Sequence, residues 1–409
     1  MKDFQLYQQI LGLVEPWVVE GVTLKPKEQE IEVRVGFADT IWGCPQCQKR
    51  MQIHDYEERR WRHLDSCQFK TIIVSRVPVV RCQEHGCQTV AVPWAEKYSR
   101  FSRLLERLAI DVMLESSISG ACAILRLSWD EADGIKQRAV KRGLARKTPE
   151  VMERLCVDEK GMGHGQNYLT IVAQVQEGRT TVEYVGEERQ QESLDAFWQS
   201  LTAEQLAGVE AVAMDMWEPY VQSTLSQVPG AASKIVHDPF HLVKYMNEAV
   251  NEVRKSEHRR LQAQGDNILK STRQLWLYGM ENVPARHAQR FAEVKELNLQ
   301  TSRAWAIKEV FRSFWLCPGL KAAERYFEKW YGWAIRSRLN PVKKVARRCK
   351  AHLGNILTFF VHRLTNGPIE GLNNKIQGLI KKAFGYRNKE RFKTDIFFHL
   401  GGLDLYPAQ

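Results

Sequence analysis

CVDEKGMGHGQNYLTIVAQV, residues 156–175, runs an apolar stretch into two adjacent carboxylates, Asp158 and Glu159, and then into a glycine-rich turn. From Glu153 to Asp158 the chain reads as a strand with an apolar centre. Successive side chains on a strand point to opposite faces, so only one of the two carboxylates can enter a given site. Asp158 continues the face opposite Val157 and is the one the pattern selects. After the turn GMGHG, the segments YLTIVAQV and RTTVEYVG read as two further strands, which makes a three-stranded antiparallel meander. QESLDAFWQSL follows as a helix. VEAVAM is then a buried strand ending at Asp215, and after another helix SKIVHDPFHLVK holds a short strand that ends in charge.

Three antiparallel strands, helix, strand, helix, strand is the element order of the ribonuclease-H fold. In that fold the first and fourth strands are neighbours, so Asp158 and Asp215 meet. Two adjacent carboxylates repel unless a cation lies between them. A hard divalent ion with oxygen ligands, Mg²⁺ or Mn²⁺, is the expected one. A third acid should come from a later helix, and TNGPIEGLNNKIQGLIKKAFGYRN near the C-terminus offers it. Asn366 is a candidate N-cap and Pro368 suits a first turn. Glu370 and Asn374 then share a helix face one turn apart. Lys375, Lys381, Lys382 and Arg387 follow, a density of positive charge that fits a DNA backbone. The ordinary alternative is a surface Glu on a solvated basic helix.

Upstream, Cys44 and Cys47 form CPQC, and Cys82 and Cys87 form CQEHGC. Two such knuckles separated by strand-like EERRWRH and QFKTIIVSRVPVV are what a tetrahedral thiolate site for Zn²⁺ requires. His54, His63 and His85 are substitute ligands if one cysteine is not used. From Ser102 to Lys147 the periodicity turns helical. Ser128 and Glu131 form a capping box that starts a third helix, and three short helices with a basic last member resemble a helix-turn-helix. Lys136, Arg138, Lys141, Arg142, Arg146 and Lys147 are its candidate contacts to bases and phosphates. A solvated basic helix without a DNA role is the competing reading.

The whole composition agrees with a polyanionic partner: 59 Lys and Arg stand against 48 Asp and Glu, for a net charge of +11 over 409 residues. No apolar run is long enough for a membrane span, and the first residues lack a signal peptide's layout. A cytoplasmic, nucleoid-associated protein is the expectation, and the odd count of nine cysteines speaks against a disulfide framework. Between His241 and Thr365 lie about 125 residues, too many for a loop. Amphipathic patterns such as FHLVKYMNEAVNEVRKSEHRRLQ make this an all-helical insertion. Trp276, Trp305, Trp315, Trp330 and Trp333 are read as its core rather than as base-stacking groups.

Taken together, CPQC with CQEHGC, the helical segment after it, VDE, DMWEPY, HDPFHLVK and TNGPIEGLNNKIQGLIKKAFGYRN resemble the ISL-three family of bacterial insertion-sequence transposases, over nearly the whole chain. The resemblance implies an α/β multidomain protein: an N-terminal segment with a zinc ribbon (1–98), a helix-turn-helix (99–150), a ribonuclease-H-like core (151–240 and 365–409) and the α-helical insertion (241–364). It implies that Asp158, Asp215 and Glu370 are a DDE triad holding two Mg²⁺ ions that clamp the attacking and leaving oxygens of an in-line displacement. It places His241, Asn374 and Trp217 near that site, and makes double-stranded DNA the partner, as terminal inverted repeats and as target. A homodimer or larger synaptic assembly is expected. Two other readings remain open at this point: a DNA-binding regulator with a catalytically silent ribonuclease-H-like domain, and a structure-selective nuclease.

Overall fold

The structure, a computed structural model, describes residues 3–162 and 168–408. The turn GMGHG therefore lies partly outside the described residues, from position 163 onward. The chain forms two compact units, Met1–Lys147 joined by Phe397–Gln409, and Thr148–Ile396.

In the first unit a short helix α1 (Asp3–Ile10) precedes a sheet of β1 (Trp17–Lys25), β2 (Glu30–Phe37), β3 (Ile41–Gly43), β4 (Arg50–Ser66), β5 (Phe69–Cys82) and β6 (Gly86–Thr89). The order is β1-β2-β5-β4-β3, with β6 also on β5. The long β4–β5 hairpin turns on Cys67 and Gln68, both left-handed at φ 47° and 71°, the backbone that tight two-residue hairpins need. Cys67 is thus a turn residue. The strands β1 and β2 were not legible as such in the sequence. Their inner side chains, Val33 and Val35, pack with Trp17, Trp61, Ile73, Val77 and Trp94.

Three helices follow: α2 (Arg103–Glu115), α3 (Ile118–Leu125) and α4 (Trp129–Arg146). Each is capped by a serine, Ser102, Ser117 or Ser128, whose hydroxyl accepts from a first-turn backbone N–H. The Ser128–Glu131 box forms reciprocally, as its spacing predicts. Ala109, Ile110, Ala121, Ile135 and Ala139 make the centre of this helical core, and Phe398 and Leu405 complete it. The expected boundary at 365–409 is corrected here: Phe397–Gln409 belongs to the first unit. The physical reason is a fitted groove. Gly143 on α4 leaves room for Leu403, whose Cβ would stand 2.6 Å from a side-chain carbon at that position.

The second unit opens with β7 (Arg154–Gly161), β8 (Tyr168–Gln176) and β9 (Arg179–Glu187), then α5 (Gln191–Gln199), α6 (Ala203–Gly208), β10 (Ala211–Met214), α7 (Glu218–Gln227) and β11 (Ile235–His237). The sheet order is β11-β10-β7-β8-β9. β7, β8 and β9 pair antiparallel, while β10 runs parallel to both β7 and β11. The parallel strands AVAM and IVH are buried throughout, as strands covered on both faces must be. Trp198, Tyr220, Val212 and Ile235 lie in the core that α5 and α7 share with the sheet.

After β11 the chain is helical: α8 (Pro239–Gln262), α9 (Arg273–Leu277), α10 (Ala285–Lys295), α11 (Gln300–Phe314), α12 (Leu320–Arg336), α13 (Asn340–Ala351), α14 (Leu353–Leu357), α15 (Phe359–His362), α16 (Gly367–Lys382) and α17 (Lys389–Leu400). Trp276, Trp305 and Trp330 are buried core, Trp315 is half-buried, and Trp333 is exposed. Two buried charges knit the helices α8 to α11. Glu257 accepts from the N–H groups of Gln300 and Thr301 at the start of α11. Lys308 donates to the carbonyls of Trp276, Leu277 and Tyr278 at the end of α9. Each charge meets the end of a helix dipole that favours it.

Candidate metal centre and carboxylate site

In the first unit Cys44, Cys47, Cys82 and His85 bring four ligand atoms within 4.8 Å of one another. Cys47 Sγ and Cys82 Sγ are 3.7 Å apart, Cys82 Sγ and His85 Nδ1 3.5 Å, and Cys44 Sγ and His85 Nδ1 3.9 Å. A tetrahedron with Zn–S of about 2.3 Å and Zn–N of about 2.0 Å places sulfurs about 3.8 Å apart and sulfur and nitrogen about 3.5 Å apart. The cluster therefore fits zinc. The hydrogen bond with His85 draws the Cys82 thiol down to about 6, toward the thiolate that metals take.

Cys87, expected as the fourth ligand, is exposed and lies on β6 opposite Arg81. His85 stands in its place. Cys44 and Cys47 are three positions apart, and so are Cys82 and His85. Each pair is followed by a left-handed residue, Gln48 at φ 60° and Gly86 at φ 66°. The two knuckles thus share one local shape, which the longer spacing to Cys87 cannot adopt. The matching spacing was the signal in the sequence. His54 and His63 lie outside the cluster. His63 is buried, and its Nδ1 is 2.8 Å from the Ser102 hydroxyl.

The basic residues of α4 are mostly engaged within their own unit. Lys136 is buried, 3.6 Å from Asp133. Arg138 binds Glu106, Arg142 binds Glu96 and Glu106, and Arg146 binds Asp404. Arg142 and Arg146 also donate to the carbonyls of Leu405 and Tyr406. Glu106 is buried, and burying a carboxylate requires such partners. Lys136, Arg138, Arg142 and Arg146, expected to face DNA, are thus committed to internal ion pairs. Lys141 and Gln137 remain on the exposed face of the helix.

In the second unit the register pairs Ala213 of β10 with Cys156 of β7. Two residues beyond each stand Asp215 and Asp158. Equal offsets on neighbouring parallel strands put the carboxylates side by side at the centre of the sheet, just past the last paired residues of β7 and β10. Asn373 on α16 donates from Nδ2 to Asp158 Oδ2 at 2.7 Å. Tyr245 on α8 donates to Asp215, its oxygen 2.8 Å from both carboxylate oxygens. His241, one turn before Tyr245, lies with Nδ1 3.9 Å from Asp215 and 4.0 Å from Asp238. That nitrogen is buried and has no hydrogen-bond partner among the described residues. Asp238 accepts from the backbone N–H of both His241 and Asn366. It therefore ties the start of α8 to the loop that leads into α16.

Burial raises the carboxyl groups of Asp158 and Asp238 above their usual range, and for Asp158 the charges of Asp215 and Asp238 add to the rise. The neighbour Glu159 faces elsewhere, toward Arg189 at 3.1 Å. Arg189 in turn lies over the Trp217 ring, 4.2 Å from its centroid, so Trp217 braces that side of the site. Glu370 is exposed on α16, three residues before Asn373 and on the same side of the helix. Asn374, Lys375, Lys381, Lys382 and Arg387 are exposed as well. The sequence reading missed Tyr245, Asn373 and Arg348. Tyr245 was accessible from its spacing to His241 and Asn373 from its spacing to Glu370. Arg348, which packs on the Tyr245 ring at 4.3 Å and donates to the Met216 carbonyl, carried no local signal.

Comparison with known proteins places these features. A family model described as "Transposase" matches residues 155–396, more than half of the chain. A second, "zinc-finger of transposase IS204/IS1001/IS1096/IS1165", matches 41–87, and a third, "Helix-turn-helix domain of transposase family ISL3", matches 90–140. The chain belongs to the ISL3 family of insertion-sequence transposases. Among similar proteins, the transposase for insertion sequence element IS1001 of Bordetella parapertussis is 26% identical over 85% of this chain and 86% of its own length. The transposase for IS1557 of Mycobacterium tuberculosis is 24% identical over 95% of this chain and 94% of its own. The helix-turn-helix agrees with DNA binding, and the zinc-finger match and the Cys3His cluster together point to Zn²⁺. Among the described residues no helix is long and apolar enough to cross a membrane.

Proposed function

We propose that the second unit is a ribonuclease-H-like core that cleaves DNA strands at the ends of an insertion sequence and joins them to a target, with Asp158, Asp215 and Glu370 as its acidic set. The observation that carries this reading is the equal offset of Asp158 and Asp215 on neighbouring parallel strands. The sheet order β11-β10-β7-β8-β9 supports the fold assignment. Oxygen-only donors, with Asp158 raised by burial and by like charge, suit a hard divalent cation. Magnesium or manganese bound there would polarise the scissile phosphate and lower the pKa of the attacking water or hydroxyl.

The chain's own residues do the positioning. Asn373 orients Asp158 and Tyr245 orients Asp215. Asp238 keeps the helices bearing Tyr245 and Glu370 at fixed starting points. Lys375, Lys381, Lys382 and Arg387 take phosphates of the bound strand. In the first unit the zinc ribbon and the exposed face of α4, with Gln137 and Lys141, read the terminal inverted repeat. Residues 241–364 act as an insertion that braces the core. The protein would act on bacterial chromosomal DNA in the cytoplasm, as a homodimer or larger synaptic assembly.

Strand cleavage in Mg²⁺ of a duplex copied from the DNA flanking its own reading frame tests this. Wild type should cut at the repeat boundary and Asp158→Ala should not, while both bind the repeat in a gel shift. Repeat binding without cleavage by wild type would favour the regulator reading instead.

A further inference from the structure

Phe384 is 99% exposed, more than any other large apolar side chain among the described residues. It sits at φ 54°, a left-handed backbone that bulky side chains rarely adopt. Helix α16 ends there through bonds from Phe384 N to Lys381 O and from Gly385 N to Ile380 O. The loop is fixed on its far side too. Tyr386 stacks on the buried Phe392 with ring centroids 4.5 Å apart and donates to Asp395 at 2.5 Å. Asn388 accepts from the first N–H groups of α17. One aromatic ring is thus turned outward on a loop whose other aromatic ring is packed inward.

The charge around the ring is one-sided. Among the described residues, Lys381, Lys382 and Arg387 have no acidic partner, whereas Lys389 and Lys393, just beyond, are paired with Glu187. An aromatic ring flanked by unpaired cations matches unstacked bases on a phosphate backbone, because every base presents a π-face and every nucleotide a charge. Strain held at an exposed position points to use rather than to packing.

We propose that Phe384 is a wedge that stacks on an unpaired base of the DNA held at the carboxylate site, with Lys381, Lys382 and Arg387 gripping the flanking phosphates. This rests on the reading of the second unit as a DNA-cleaving core. Asn373, which touches Asp158, is eleven residues before Phe384 on a continuous helical path. At 1.5 Å per residue that is about 16 Å, or about five base steps at 3.4 Å each. The distorted base therefore lies within about five positions of the scissile phosphate.

The test uses the full chain and the duplex that flanks its reading frame, with 2-aminopurine placed singly at each of those positions. Wild type should raise the fluorescence at one position. Phe384→Ala should abolish that rise, and Phe384→Trp should keep it. Phe384→Ala should also slow cleavage of the paired duplex about tenfold or more, within the range that one stacked base supplies. A mismatch at the reporting position should restore its cleavage to within about twofold of wild type. Lys381→Ala with Lys382→Ala should instead weaken binding and flatten its salt dependence by about two units, with the fluorescence rise intact at saturating protein.

No rise with wild type, an unchanged rise in Phe384→Ala, or failure of the mismatch to rescue would overturn the proposal. So would a change in oligomeric state of Phe384→Ala by sedimentation with the rise unchanged, which would assign the ring to a protein contact. If wild type shows the rise but cuts nothing, the wedge stands and the reading of the core as a nuclease falls.

Discussion

The two sites of this protein are assembled in opposite ways. In the first unit, Cys44–Cys47 and Cys82–His85 are knuckles of the same spacing and the same left-handed exit, and their four ligand atoms already stand at coordination distances. In the second, Asp158 stands within β7, which runs on to Gly161, and Asp215 just past the end of β10, each held by a single side chain from a later helix, Asn373 and Tyr245. Among the described residues only the first group gathers three or more candidate ligands within 4.8 Å. A structural metal site is closed by protein ligands, whereas a catalytic one keeps positions free for substrate. The cluster of Cys44, Cys47, Cys82 and His85 fits the closed kind, and the proposed function asks the carboxylate pair to act as the open kind.

That contrast can be broken most strongly at the metal. Structural zinc contributes about 10–16 kcal/mol to small domains, so Cys44→Ser or Cys82→Ser should lose the metal and unfold the ribbon. Cys87→Ser should retain one zinc per chain. Metal analysis of the purified variants, read with circular dichroism, checks this, and zinc loss in Cys87→Ser would return that cysteine to the ligand set.

Next in size is the open site. Asp158→Asn and Asp215→Asn should each lower strand cleavage by at least about 1000-fold, and the double variant should be little worse, because groups acting as a unit are non-additive. Neither should unfold the protein, since in both the hydrogen-bonding shape is retained. Glu159→Gln should cost far less. A thermal melt beside the cleavage assay separates the two effects.

A smaller effect is expected from His63, which burial lowers to about 4 from 6.5. Its neutral form is favoured in the folded state, so the unfolded chain binds the extra proton between those values. The stability this gives is complete above about pH 6.5 and is lost as pH falls toward 4, on the order of 3 kcal/mol in all. Urea unfolding at pH 7 and pH 5 should show the loss in wild type and a smaller one in His63→Phe. Equal losses in both would assign the acid sensitivity to zinc release instead.

The finest distinction concerns the supports of the open site. Tyr245→Phe and Asn373→Ala each remove one orienting hydrogen bond to a charged group, worth about 1.5–3 kcal/mol. Cleavage should fall about tenfold or somewhat more in each, with repeat binding unchanged. If Asn373→Ala is silent while Glu370→Gln is dead, α16 contributes through its carboxylate alone.

Local pattern determined much of this molecule. The meander from Arg154 to Glu187, the Ser128–Glu131 cap and the buried AVAM strand before Asp215 are all short-range events, whereas Asn366, expected to cap α16, stands at that position without a side-chain cap hydrogen bond. Periodicity and capping chemistry act within one element and can be read there. So could the knuckles, up to the choice between His85 and Cys87. That choice depended on which of two nearby donors could repeat the backbone turn at Cys47.

Tertiary structure decided the rest. Arg138 and Arg142 look like a DNA-facing charge run until the buried Glu106 is seen to need them. The tail from Phe397 looks like the end of the core until Leu403 is found over Gly143 and Leu405 in the helical core of the first unit. Tyr245, Asn373 and Arg348 acquire roles only because the sheet and the helices after β11 bring them to Asp158 and Asp215. The physical reason is one of range. A strand's period or a helix cap is set by neighbours a few residues away. A buried carboxylate takes whatever donor the fold delivers, and nothing in the donor's own surroundings announces it.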